Sequence, residues 1–244
     1  TPELFSTARA IRLMGSEADK TYGLSPEIAW NYGLSFTQNL PLRGRDLELV
    51  ADLYYTNFTN QVVVDWDNPR EVAFYNLTGK SFSTNFQIEA NYEILKRTHL
   101  KVAYKWFDVQ TDYLSGRRTQ PFQPKERWMV NLSYETTPQE GRQWRFDTTF
   151  NAVGSQRLPD TSSNPQAYQM GDTAAAYTTT QAQLTRVFSP MIEVYLGAEN
   201  LFNYYQKRAI IASDTPFGTY FDASMAYAPV QGRMIYAGLR FKLK

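Results

Sequence analysis

From Ile28 to Gln38 every second residue is apolar or large: Ile28, Trp30, Tyr32, Leu34 and Phe36. Between them lie Ala29, Asn31, Gly33, Ser35 and Thr37. Successive side chains of a strand point to opposite faces, so a period of two marks a strand with two chemically different sides. The pattern returns down the chain. It predicts consecutive antiparallel strands at 28–38, 46–61, 83–94, 99–109, 127–135, 143–153, 178–187, 191–200 and 233–243. One set of faces is apolar, as at Leu53, Phe86, Val102, Leu132, Leu196 and Leu239. The other carries Asp46, Glu48, Asp52, Glu89, Lys101, Arg145, Asp147 and Glu193. The stretch 178–187 alternates least clearly.

A water-soluble antiparallel sheet also alternates, so a soluble carbohydrate-binding sandwich is one alternative. Two features point to a membrane wall instead. Trp30, Tyr92, Trp106, Trp128, Tyr134 and Trp144 sit near the ends of apolar faces, where barrels place their interfacial aromatic girdles. The connections also alternate in length. Those at 40–45, 95–98, 136–142 and 188–190 are short, and those at 62–81, 110–125, 154–176 and 202–231 are long. Bacterial barrels have short periplasmic turns and long extracellular loops.

The expected fold is therefore all-β, an antiparallel transmembrane β-barrel in a bacterial outer membrane. Residues 41–45 and 137–141 are expected in the periplasm, and 66–78, 155–175 and 205–229 outside the cell. With that orientation the C-terminus is periplasmic. Residues 1–26 form an extracellular loop or the end of a preceding strand, and residues 27–244 hold about nine strands. A whole bacterial barrel has an even number of strands, so an odd set that starts outside implies at least one earlier strand. The chain reads as the C-terminal part of a larger barrel. Its first residue, Thr1, agrees with a processed or partial chain.

Composition removes other classes. The 244 residues suffice for one large all-β domain, and a net charge of +1 gives no electrostatic case for nucleic acid as a partner. Mean hydropathy is −0.48, and no apolar run approaches the ~18–20 residues of a membrane helix. There is no cysteine. The single histidine, His99, is placed in a short turn beside Lys96 and Arg97 and reads as a solvated surface residue. That leaves little material for a nucleophile–base pair or a zinc site, so no enzyme and no cofactor is expected. Asp65, Asp67 and Glu71 do not have the spacing of a calcium loop and read as a solvated acidic loop.

Recognition is expected from the loops. Trp66, Tyr75, Tyr113, Tyr168, Phe217, Tyr220 and Phe221 are aromatics beyond the wall segments. Such rings stack on aryl, corrin or sugar groups with little loss of entropy. The connection after Phe202 has the length of a functional lid. Asn200 and Asn203 suit a strand end that runs into a turn, and Pro26 a strand start. Gly33 and Gly238 are expected to relieve crowding against a plug or to permit curvature.

Several local sequences resemble the C-terminal half of TonB-dependent outer-membrane receptors, particularly those of Bacteroidetes. They are Leu24-Ser25-Pro26-Glu27 with Trp30-Asn31-Tyr32-Gly33, Tyr54-Tyr55 with Asn60-Gln61-Val62, Gly197-Ala198-Glu199-Asn200-Leu201-Phe202-Asn203, and Gly232-Arg233. These marks occur in the family's order over about residues 22–244. The ending Phe241-Lys242-Leu243-Lys244 departs from the terminal aromatic of many outer-membrane proteins. The resemblance implies a barrel of about twenty-two strands around an N-terminal plug. It implies uptake of a scarce nutrient such as an iron chelate, haem, cobalamin or an oligosaccharide, energised through TonB. The implied partners are outer-membrane lipid, the plug and remaining strands, TonB, the small-molecule nutrient and a surface lipoprotein. A non-energised channel or an adhesin-type barrel is the alternative, separated by the presence of a plug and TonB box.

Overall fold

In the computed structural model, which describes residues 9–243, the alternating segments form one antiparallel sheet. The strands are β1 (Ala10–Leu13), β2 (Ile28–Leu42), β3 (Arg45–Asn60), β4 (Val62–Asn68), β5 (Glu71–Asn76), β6 (Ser81–Leu95), β7 (Thr98–Tyr113) and β8 (Gly116–Thr119). They continue as β9 (Glu126–Glu135), β10 (Gln143–Val153), β11 (Gln156–Arg157), β12 (Thr173–Ala174), β13 (Tyr177–Ser189), β14 (Ile192–Glu199) and β15 (Met234–Phe241). The wall runs β15-β14-β13-β10-β9-β7-β6-β3-β2, with β8 folded back on β7. All nine expected segments are wall strands. Residues 1–8 of the expected leading loop, and Lys244, lie outside the described residues.

Register keeps each face chemically uniform across several strands. Leu34 pairs with Leu53, Leu53 with Phe86, and Phe86 with Trp106. One residue away along β2, Ser35 pairs with Asp52, Asp52 with Gln87, and Gln87 with Lys105. A slip of one residue would exchange the two faces, so the alternation excludes odd slips, and the tight turns select among the even ones. The same reasoning explains β13, the segment with the weakest pattern. It spans thirteen residues because β10 and β14 template it from both sides.

The apolar face is covered by nothing among the described residues. Leu34, Leu196 and Leu239 are 75%, 55% and 68% exposed. In a water-soluble sandwich these side chains would form the core. Here both buried hydrophobic clusters lie largely in the connections. An apolar outer face with a polar inner one is the arrangement of a barrel wall in lipid. β2 and β15 do not pair with each other, so the nine strands are an open arc of wall. Their outer edges have no partner among the described residues, and every residue of β2 is exposed.

Short turns end the strands at one end of the arc. Arg43 and Gly44 both have positive φ, at 52° and 75°. Two such residues make the two-residue turn whose twist matches the strands it joins, and glycine enters that region without a Cβ penalty. All the long connections leave from the opposite end, and three of them, 62–81, 110–125 and 154–176, contain strands that the period-two reading took as loop. β4 and β5 form a hairpin inside 62–81, and β1 joins β5 in parallel. The added ladder places residues 10–13 against the hairpin, far from β5 in sequence.

Candidate functional site

The long connections interlock into a cap held by side chains. Val63, Ala73, Tyr75 and Tyr113 form one buried cluster, with Met14 and Leu77 packed against it. The Tyr75 hydroxyl donates to Asp65 Oδ2 at 3.0 Å and accepts from the Leu114 amide at 3.0 Å. Burial, with the Asp65 carboxylate beside it, pushes the phenol well above its ordinary pKa. A second cluster holds Ile211, Ala212 and Met225, against Phe122, Tyr168, Met170 and Tyr220. It joins residues from three long connections.

Charges tie the clusters together. Arg9 donates from Nε to Asp222 Oδ2 at 2.9 Å and from Nη1 to the carbonyls of Trp66, at 2.6 Å, and Asn68, at 3.0 Å. Its guanidinium also lies 5.5 Å from the Trp66 ring centroid. The side chains of this ion pair are almost fully buried. Burial lowers the Arg9 pKa, and Asp222 works against that shift. Asp67 accepts from Arg157 Nη1 at 2.6 Å and lies 3.6 Å from Arg118. Arg70 covers the Tyr220 ring at 4.4 Å and donates to the Thr219 carbonyl and to Asn164 Oδ1.

The loop aromatics therefore separate into two groups. Tyr75 and Tyr113 are buried and hold the cap together. Trp66, Tyr168, Tyr220 and Phe221 are half-buried. Tyr168 and Tyr220 stack at 5.4 Å, and the Tyr168 hydroxyl reaches Asp214 at 3.4 Å. Phe217 is 85% exposed and 5.3 Å from Phe221. Phe217 thus stands out into solvent with Phe221 against it, Tyr220 is sandwiched between Arg70 and Tyr168, and Trp66 sits beneath Arg9.

Two expectations need correction. Asp65 and Asp67 are not a solvated acidic loop: Asp67 is nearly buried between two arginines, and Asp65 accepts from Tyr75. Among the described residues no group of three or more His, Cys, Asp and Glu is gathered to hold a metal ion. His99 is not in a turn but is the second residue of β7, paired with Glu93. The two wall glycines lie under rings of the wall itself. A Cβ on Gly33 would stand 2.3 Å from the Tyr54 ring, and one on Gly238 2.3 Å from the Tyr195 ring. The chain's own inward tyrosines fill the space over these glycines. Asn200 and Asn203 act as the sequence indicated. Asn200 Oδ1 accepts from the Tyr204 amide at 3.0 Å, and Asn203 Oδ1 from the Arg233 amide at 2.8 Å.

The residues that join the cap, Arg9, Arg70, Arg157 and Asp222, carried no local signal. Each acts on a partner distant in sequence, so spacing could not reveal it. The inner face of the wall is similarly built of polar contacts. Glu89 accepts from Gln87 at 2.6 Å and pairs with Lys101 at 2.7 Å, and Glu48 accepts from Asn91 at 2.8 Å. Glu193 pairs with Arg145 and Arg240.

An exposed apolar exterior, a polar interior and long loops at one end are the features of outer-membrane barrels. Residues 3–201 match the family model described as TonB dependent receptor-like, beta-barrel. The chain belongs to that family. TonB-dependent receptors are outer-membrane transport proteins and not enzymes. The ferric-catecholate import receptor Fiu from K12 E. coli shares the fold, with a TM-score of 0.60 and 14% identity over 97% of this chain and 30% of that one. The copper transporter OprC gives a TM-score of 0.66 and 16% identity over 98% of this chain and 34% of that one. The siderophore receptor PirA from Acinetobacter baumannii gives 0.61 and 15%, over 90% and 32%. At these identities the likeness establishes the fold. This receptor barrel segment spans about a third of the length of the solved structures it matches. No curated protein sequence matches it.

Proposed function

We propose that the chain forms the C-terminal part of a receptor barrel that captures a scarce nutrient at the cell surface for TonB-energised uptake. In this reading the long connections are extracellular, and the short turns and the C-terminus are periplasmic. A plug, the remaining strands, TonB and a surface lipoprotein are the partners. The substrate class favoured is an iron or other metal chelate that carries aromatic groups. The single observation behind this is the exposed Phe217 ring in the cap, in contact with Phe221. A ring with a free face in solvent is available to stack on an aromatic ligand. The import receptor and copper transporter that share the fold add support for a metal-bearing cargo. The affinity to the Bacteroidetes group rests on the ordered sequence marks alone.

The test is binding of aryl-bearing ferric chelates to the full-length protein, followed by calorimetry, with growth on the same iron source as the readout of uptake. Phe217→Ala with Tyr168→Ala should weaken binding and slow growth without altering the barrel's heat-resistant migration. Unchanged affinity and growth would move recognition to other loops or to the plug. Cysteines introduced at Gly141 and Phe217 test orientation in intact cells. Labelling at Gly141 without outer-membrane disruption would reverse it.

A further inference from the structure

Arg186 stands on the outward, apolar face. In β13 it pairs with Trp144 on one side and Val194 on the other, and the row continues to Leu239. Those three neighbours are exposed hydrophobics of the outer face. The Arg186 guanidinium carbon lies 4.9 Å from the Trp144 ring centroid and 5.7 Å from that of Phe188. Among the described residues it has no ion pair and no side-chain hydrogen bond beyond these ring contacts. A charge on a lipid face is expensive, and near a strand end it is accommodated by reaching the headgroup layer. Arg186 is three residues from Ser189, the end of β13 at the short-turn rim. That places it about 10 Å from the strand end.

The rim supplies a second cation. Arg142 is exposed and lines, with Arg186, Trp144, Thr136 and Glu140, a cleft of about 740 Å³. Glu140 is the one carboxylate among the described lining residues, and it forms no ion pair with either arginine. The Thr136 hydroxyl accepts from the Trp144 amide at 2.9 Å and so fixes the turn against β10. Two guanidinium groups against one carboxylate leave the cleft net positive. The planar donor fork of arginine matches a phosphate in two-point fashion.

We propose that Arg186 and Arg142, with Trp144 as a stacking floor, hold the phosphate of one anionic glycerophospholipid in the leaflet at the short-turn rim. The site goes beyond substrate uptake. It would fix the depth and rotation of this part of the wall in its leaflet, because the lipid bridges β10 and β13 on their outer side.

The test uses the full-length protein, stripped of lipid in a neutral detergent and examined by native mass spectrometry. The probes are phosphatidylglycerol and phosphatidylcholine. Wild type should retain one phosphatidylglycerol in preference to phosphatidylcholine. Arg186→Gln with Arg142→Gln should weaken that retention about tenfold, the equivalent of one charge-assisted contact. Arg127→Gln removes the same charge from the inner face and should leave retention unchanged. Trp144→Leu keeps both cations and should weaken it about threefold, the size of an exposed cation–π contact. It reads the site even if the double variant fails to fold. Equal retention of the two lipids by wild type, or no loss in either rim variant, would overturn the site. Displacement by inorganic phosphate alone would show that the acyl chains contribute nothing and would overturn a lipid occupant. Loss of all lipid, phosphatidylcholine included, would instead count against a membrane-facing outer wall.

Discussion

The wall and the cap of this receptor segment are built on opposite rules. Wall strands turn their apolar side chains outward and hold together through backbone ladders between sequence neighbours. The cap turns its apolar side chains inward and is joined by side chains from residues far apart in sequence, as in Arg9–Asp222 and Arg157–Asp67. The difference follows the solvent. In lipid, apolar burial between elements gives little driving force and every backbone group must be paired. In water, the cap must bury its own apolar surface and satisfy each charge that it takes inside.

The comparison breaks most sharply at Arg9. Arg9→Met should destabilise the cap by about 3–5 kcal/mol, because it strands the Asp222 carboxylate in a buried site. Protease cleavage of the long connections should rise while the wall keeps its heat-resistant migration. A wall that unfolds together with the cap would show that the two regions are one cooperative unit. Leu196→Arg on the outer face should follow, at about 2–4 kcal/mol in a bilayer refolding titration if the residue lies near the midplane. Gln87→Arg on the inner face should be far milder, and equal effects would contradict the assigned facing.

A smaller effect comes from pH. The buried Tyr75 phenol is raised, so its neutral form favours the folded cap below the ordinary phenol value of about 10. That contribution is lost as pH rises above about 10, where the unfolded phenol ionises and the buried one resists. Cap proteolysis measured between about pH 9 and pH 11 should therefore increase in wild type. The increase should shrink in Tyr75→Phe. The smallest effect on stability is expected at Phe217, which is exposed beside Phe221. Phe217→Ala should change thermal stability by less than about 0.5 kcal/mol, so any loss of binding would report recognition and not folding.

The wall was legible in the sequence because its rule is local. Ser35, Asp52 and Gln87 each lie on the polar parity of their own strand, and a one-residue slip of any of those strands would turn its polar residue into lipid. Loop lengths marked which connections share an end, and Asn200 and Asn203 marked the turn that returns to β15. The candidate site was only half legible. The ring-bearing residues could be named from sequence, but not which of them would be buried. Tyr75 and Phe217 look alike in a loop, yet one bonds Asp65 and Leu114 in a packed cluster and the other stands in solvent.

By itself the sequence determined a two-faced antiparallel wall, since strand geometry converts a period of two directly into facing. Only the tertiary structure decided that β1 joins β5, that tyrosines roof Gly33 and Gly238, and that Arg9 closes on Asp222. Each of these depends on distant residues meeting in space, and the pairing of such residues leaves no trace in local spacing.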